Sequence, residues 1–172
     1  MSTAIVSTIG RDRPGIVNEL STIVHNLNLN IEDSRMAVLG SEFAVLMAVT
    51  GSDEALGKLE LDLHRFCDSA GMACLLRHTA DRSAAHSLPY RVRVVAMDHP
   101  GIVRGIASFF SAREINIREL ETETERAPHT GTPIFNLSMT VEVPTGVKIA
   151  RLRDEFEDFC EERDLDGDLF AE

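Results

Sequence analysis

The sequence is short of lysine, of paired cysteines and of long apolar runs. Only Lys58 and Lys148 are lysines among 17 basic residues, and no arginine block replaces them. Twenty-eight acidic residues set the formal net charge at −11. Binding to duplex or single-stranded nucleic acid relies on a basic stripe that neutralises phosphates, and this balance argues against one. It argues equally against adhesion to an anionic membrane surface. The longest uninterrupted apolar run, Phe43 to Val49, is far below the roughly 20 residues of a spanning helix. No charged start, apolar core and small-residue cleavage site of a signal peptide is present, so a cytoplasmic location is expected. Cys67, Cys74 and Cys160 are odd in number and form no C-x-x-C pair, which argues against a disulfide scaffold or a zinc knuckle. The six histidines, at 25, 64, 78, 86, 99 and 129, show no metal-ligand spacing, and no G-x-S-x-G, P-loop or H-E-x-x-H motif is found. No catalytic residue, metal or cofactor is therefore expected. The rest of the composition, 44% hydrophobic and 26% charged over 172 residues, is that of a globular protein.

What the sequence does contain is a repeat. Gly10-Arg-Asp-Arg-Pro-Gly-Ile-Val17 returns as Ala96-Met-Asp-His-Pro-Gly-Ile-Val103, at an offset of 86 residues. Without a gap, the same offset lays Val6 on Val92 and Asn30-Ile31 on Asn116-Ile117. Farther on, Phe43, Met47 and Val49 match Phe135, Met139 and Val141, so the second copy holds extra residues. A longer hairpin loop within Glu125 to Pro133, rich in proline and glycine, accounts for them. Leu56, Leu59, Leu63, Phe66 and Cys67 then match Ile149, Leu152, Phe156, Phe159 and Cys160 in one register. Two copies of one small domain follow, with boundaries at 1–80 and 89–172 and a polar linker over 81–88.

Each copy reads strand, helix, strand, strand, helix, strand. Ala4–Ile9 and Tyr90–Met97 are rich in β-formers. Pro14–Leu27 carries apolar residues at 16, 17, 20, 23, 24 and 27, a helical stripe. Asn30–Leu39 and Glu42–Thr50 flank Gly40-Ser41, a two-residue hairpin signal. Leu56–Ala70 is a second helix and Met72–Thr79 a closing strand, with Asp166–Phe170 closing the second copy. This is the α+β, ferredoxin-like βαββαβ pattern, twice, with antiparallel sheets and helices on one face. Glu119, Glu121 and Glu123 alternate along a strand and should share one solvent-facing side. The acidic stretch from Asp154 to Glu172 reads as a solvated face, or as a docking surface for a basic partner. Cys67 and Cys160 take matched core positions.

The strand-to-helix turns, Asp12-Arg13-Pro14-Gly15 and Asp98-His99-Pro100-Gly101, are the candidate ligand sites. Proline at a helix start costs only an orphan N–H, and glycine allows close approach. The free N–H groups of the first turn favour an anion. A zwitterionic amino acid would place its carboxylate there and its ammonium on Asp12 or Asp98. Asn30 and Asn116 open the next strand and offer both donor and acceptor. If that strand lies beside the first, each Asp and Asn flank one helix start. The plainer reading makes Asp12 and Asp98 helix caps or Asx turns, and the asparagines ordinary turn residues.

The D-x-P-G-I-V text at a strand-to-helix turn, followed by N-I, in a βαββαβ unit resembles the ACT domain. Asp12-Arg-Pro-Gly-Ile-Val-Asn18, Asn30-Ile-Glu-Asp-Ser-Arg35 and Leu39-Gly-Ser-Glu-Phe43 further resemble the glycine cleavage system transcriptional repressor family. The resemblance implies a non-enzymatic, amino-acid-responsive regulator, with glycine as a candidate effector. It implies effector contacts at Asp12, Arg13, Pro14, Gly15, Ile16, Asn30 and Ile31, usually where two domains meet. It carries over to Asp98, His99, Gly101, Ile102 and Asn116 in the looser second copy. The expected partner is a DNA-binding regulator protein, contacted directly without nucleic acid or membrane, and a homo-oligomer is expected. Two other readings stay open at this point: a sensor subunit for an amino-acid metabolic enzyme, and a ligand-free dimerisation scaffold.

Overall fold

The computed structural model describes residues 1–80 and 86–171. Contacts divide the chain into two units, Met1–Arg82 and Ser83–Glu172. The first unit runs β1 (Ser2–Arg11), α1 (Ile16–Asn26), β2 (Asn30–Leu39), β3 (Glu42–Gly51), α2 (Asp53–Ala70) and β4 (Ala73–Thr79). The second repeats this as β5 (Ser87–Met97), α3 (Ile102–Ser111), β6 (Asn116–Arg126), β7 (Pro133–Pro144), α4 (Ile149–Glu161) and β8 (Asp166–Ala171). The sheets are ordered β2-β3-β1-β4 and β6-β7-β5-β8, and every pairing is antiparallel. Each is the ferredoxin-like α+β fold read from the sequence. The loop between β6 and β7 is where the second copy was expected to be longer. Of the expected linker, residues 81–85 lie outside the described residues, and Ser87 and Leu88 belong to β5.

Period-2 burial builds each sheet. Ala4, Val6 and Thr8 of β1 are buried, as are Val45, Met47 and Val49 of β3. They meet Ile16, Leu20 and Val24 of α1 and Leu56, Leu59, Leu63 and Cys67 of α2, spaced at three and four residues so that one helical stripe faces the sheet. In the second unit Phe109 and Phe110 of α3 cluster with Phe156 and Phe159 of α4. Their ring centroids stand 5.0–6.1 Å apart. Both units carry a register irregularity at the same place in the repeat, between Ile31 and Asp33 and between Ile117 and Glu119. Glu119, Glu121 and Glu123 pair across to Thr140, Ser138 and Asn136 and are exposed, as their alternation predicts.

Candidate functional site

The candidate sites stand at the carboxyl end of the first strand of each unit. Helix α1 begins at Ile16, two residues later than the sequence suggests, because Gly15 adopts the left-handed region at φ 98°; Gly101 does the same before α3 at φ 103°. A side chain is strained there, so glycine lets the chain turn from strand to helix within four residues. Gly15 and Gly101 are also the N-caps, and neither helix receives a side-chain cap bond. Asp12 and Asp98 are therefore not helix caps in this structure. Asp12 is exposed, and its N–H donates to the Ser41 carbonyl at 2.9 Å. The Asp98 N–H donates to the Pro133 carbonyl at 3.1 Å. Each turn is thus tied to the hairpin on its own end of the sheet. Where the first unit does use a side-chain cap is at α2: Ser52 Oγ accepts from the Ala55 N–H at 3.2 Å.

Arg13 points at a partner that sequence reading passed over. Its Nη1 and Nη2 donate to Glu19 Oε1 and Oε2 at 2.8 and 2.6 Å, a forked pair with both side chains 40% exposed. The Arg13 guanidinium holds the Glu19 carboxyl below its ordinary value, and Glu19 raises that of Arg13. Glu19 lies in the first turn of α1 and folds back to within van der Waals distance of where a Gly15 side chain would start. The signal available was an acid in the first helical turn beside an arginine-bearing loop. In the second unit Gly105 replaces Glu19 and His99 replaces Arg13. His99 Nδ1 stands 3.2 Å from the Pro100 carbonyl oxygen, and no acid occupies the first turn of α3. Pro14 and Pro100 are exposed, while Ile16 and Ile102 are buried anchors beneath the turns.

The asparagines do not join these turns within a unit. Asn30 pairs with Thr50 and Leu39 with Glu42, so Asn30 and Asp12 sit at opposite ends of the sheet. Strand β3 lies between β1 and β2. The conditional expectation that Asp and Asn flank one helix start is corrected for both units. The reason is that α1 runs back along the sheet, so the strand after it starts at the far end. Eight residue steps at about 3.3 Å put roughly 26 Å between the two positions. Asn116 is placed likewise, opposite Glu142, and its Nδ2 donates to Glu142 Oε2 at 3.2 Å. Ile31 and Ile117 turn partly inward against the cores.

The first unit also exposes an apolar sheet face away from its helices. Ser7 pairs with Leu46 on one side and Leu75 on the other, with Ile9 two residues along. Leu46, Leu75 and Ile9 are each about half exposed. A shallow cavity of about 100 Å³ opens on this face beside Ile5, Arg35 and Leu46. Among the described residues no helix is long and apolar enough to cross a membrane, and no cluster of metal-ligating side chains is found.

Two ferredoxin-like units in one chain, each with a helix start that no side chain caps after an Asp-x-Pro-Gly turn, define a tandem α+β module. The chain belongs to the ACT domain family, which matches residues 2–76. It is 29% identical over 167 residues to the glycine cleavage system transcriptional repressor of Escherichia coli, covering 96% of this chain and 87% of the relative. Over 88 residues it is 36% identical to a UPF0237 protein of Methanopyrus kandleri, covering 50% of this chain and 98% of that protein. Among solved structures, a protein from Galdieria sulphuraria matches with TM-score 0.80 and 29% identity, over 98% of this chain and 97% of that one. A structure provisionally assigned as a glycine cleavage system transcriptional repressor matches with TM-score 0.74 and 27% identity, over 98% and 95% of the two chains.

Proposed function

We propose that this chain is a non-enzymatic, amino-acid-responsive regulator that acts on transcription through contact with a DNA-binding protein. The observation that carries the reading is the turn before α1. There an exposed carboxylate, Asp12, adjoins a guanidinium held by Glu19, that of Arg13, at a helix N-terminus without a side-chain cap. A zwitterion meets all three: its ammonium takes Asp12, and its carboxylate takes the first-turn N–H groups and the donors Arg13 keeps after pairing with Glu19. An amino acid spans a few ångströms, far less than the roughly 26 Å that separate Asp12 from Asn30 along the sheet. The Asn30 contact therefore comes from a second copy of the chain, and the effector site forms on assembly. Glycine, with no side chain to accommodate, is the first effector to test, given the likeness to the glycine cleavage system repressor. The apolar sheet face at Ile9, Leu46 and Leu75 supports a protein partner. The net charge of −11 supports regulation without direct DNA contact.

Isothermal titration of the full chain with glycine and a panel of other amino acids tests the reading, with duplex DNA in a parallel gel-shift assay. Saturable binding of an amino acid and unshifted DNA at physiological salt are expected. No heat with any amino acid at millimolar concentration, or a sequence-specific DNA shift by this chain alone, would overturn it.

A further inference from the structure

Cys74 and Cys67 form a pair that the regulatory reading does not use. Cys67 faces the core from α2, and Cys74 lies half-buried on β4 against the same core. The two thiols interact with each other, and burial pushes the Cys67 thiol up to about 12. His64 stands one helical turn before Cys67 and is exposed, with its Nδ1 3.4 Å from Cys74 Sγ. A second observation comes from the strand beside them. Cys74 is the register partner of Thr8 on β1, and both side chains point toward the helices. The Thr8 hydroxyl is 1% exposed and makes no hydrogen bond among the described residues. Native folds seldom leave such a group unpaired.

The repeat supplies an independent ruler. Cys160 and Gly167 are the second unit's counterparts of Cys67 and Cys74, and Gly167 pairs with Val94 as Cys74 pairs with Thr8. A Cβ built on Gly167 would stand 3.5 Å from the Cys160 Cβ. Disulfides have Cβ–Cβ separations of about 3.5–4.5 Å. In the second unit, where glycine allows helix and strand to approach, the spacing at this point falls within the range that a disulfide spans. Only the first unit has cysteine at both positions.

We propose that Cys67 and Cys74 form a reversible thiol–disulfide site that reacts with hydroperoxides, with Cys74 as the attacking thiol and Cys67 as the resolving one. The Cys74 proton passes to His64, and the thiolate sulfur attacks one peroxide oxygen. The O–O bond breaks, Cys74 becomes a sulfenic acid, and the departing oxygen takes the proton from His64 and leaves as water or alcohol. The Cys67 sulfur then attacks the Cys74 sulfur. The S–O bond breaks, the S–S bond forms, and the hydroxyl leaves with the Cys67 proton as a second water. Two thiols are oxidised and one peroxide is reduced. The roles follow from access, because Cys74 and His64 reach solvent and Cys67 does not. The orphan Thr8 hydroxyl belongs to the residue paired with Cys74 on the neighbouring strand and is a candidate donor to the new oxygen. Cys160, buried and without a second cysteine, is the internal control.

The test treats the full reduced chain with hydrogen peroxide, then blocks remaining thiols and reads intact mass and linked peptides. The expected product has lost two hydrogens, keeps one alkylatable thiol at Cys160, carries a Cys67–Cys74 cross-link and reverts with dithiothreitol. Cys67→Ala should stop at a sulfenic acid on Cys74 that a 1,3-dione traps. Because Cys67 is buried, far-UV circular dichroism of that variant is checked, and the half-exposed Cys74→Ser provides a second reading by abolishing the cross-link. His64→Ala should slow oxidation about tenfold. Oxidation of Cys160 at the rate of Cys74, or cross-links only between chains, would overturn the proposal.

Discussion

Asp12→Ala separates a ligand group from a structural one, and the fold sets both magnitudes. Asp12 is exposed, and the helix beyond it is capped by Gly15 without any side-chain bond. The bond from its backbone N–H to Ser41 survives the substitution. The stability cost should therefore stay within the roughly 0.5 kcal/mol of an ordinary surface change. For a unit of this size that is about 2–4 °C in Tm at most. Ser52→Ala is the control, because Ser52 does cap α2. Its loss should cost about 1 kcal/mol, or roughly 4–8 °C if the first unit melts independently. Amino-acid binding should respond the other way round. A lost hydrogen bond to a charged group is worth about 1.5–3 kcal/mol, so Asp12→Ala should weaken binding by roughly tenfold to a hundredfold. Ser52→Ala should leave affinity unchanged. Scanning calorimetry and titration calorimetry on the same samples read both. If Asp12→Ala lowered Tm as far as Ser52→Ala and left affinity intact, Asp12 would be structural and the effector site would lie elsewhere.

Other substitutions probe the frame around the site. Gly15→Ala must hold a side chain at φ 98° and should cost on the order of 1–3 kcal/mol by thermal melting. Gly51→Ala would drive a Cβ into Leu29 Cδ2 and should cost about 1–3 kcal/mol, whereas Gly57→Ala, in open space within α2, should add roughly 0.5–1 kcal/mol. In the second unit, hydrogen bonds from Arg151 and Arg113 hold the Glu155 carboxyl below its ordinary value. Its contribution is complete above the ordinary carboxylate range and is lost as pH falls through the lowered value. Glu155→Gln should therefore melt lower at neutral pH, with a shallower loss of Tm on acidification.

The repeat made most of the fold legible in the sequence. Matching Leu63 with Phe156 and Cys67 with Cys160 placed both second helices, and the alternation at Glu119, Glu121 and Glu123 placed a strand face. Helix starts were less legible, because only backbone dihedrals show that Gly15 and Gly101 turn left-handed and hold Ile16 and Ile102 as the first helical residues. The pairing of sites was least legible. Asp12 and Asn30 recur together in both copies, yet proximity in a repeat is not proximity on a sheet. A helix between two strands carries the chain back to the opposite end, and the hairpin at Gly40-Ser41 then brings Ser41, not Asn30, beside Asp12. The Arg13–Glu19 pair was hidden for a similar reason: six residues apart in sequence, they meet only because Gly15 reverses the chain between them.

The central claim, an amino-acid site built from Asp12 of one copy and Asn30 of another, is tested most directly by complementation. Asp12→Ala and Asn30→Ala chains are unfolded, mixed in equal amounts, refolded together and titrated with the effector. A two-fold interface uses the same surfaces on both chains, so a mixed pair carries one intact site and one doubly altered site. With random pairing, the mixture should regain native affinity at roughly a quarter of the sites of the unaltered protein, while either variant refolded alone regains none. A mixture that binds no better than its separate components would contradict the shared site.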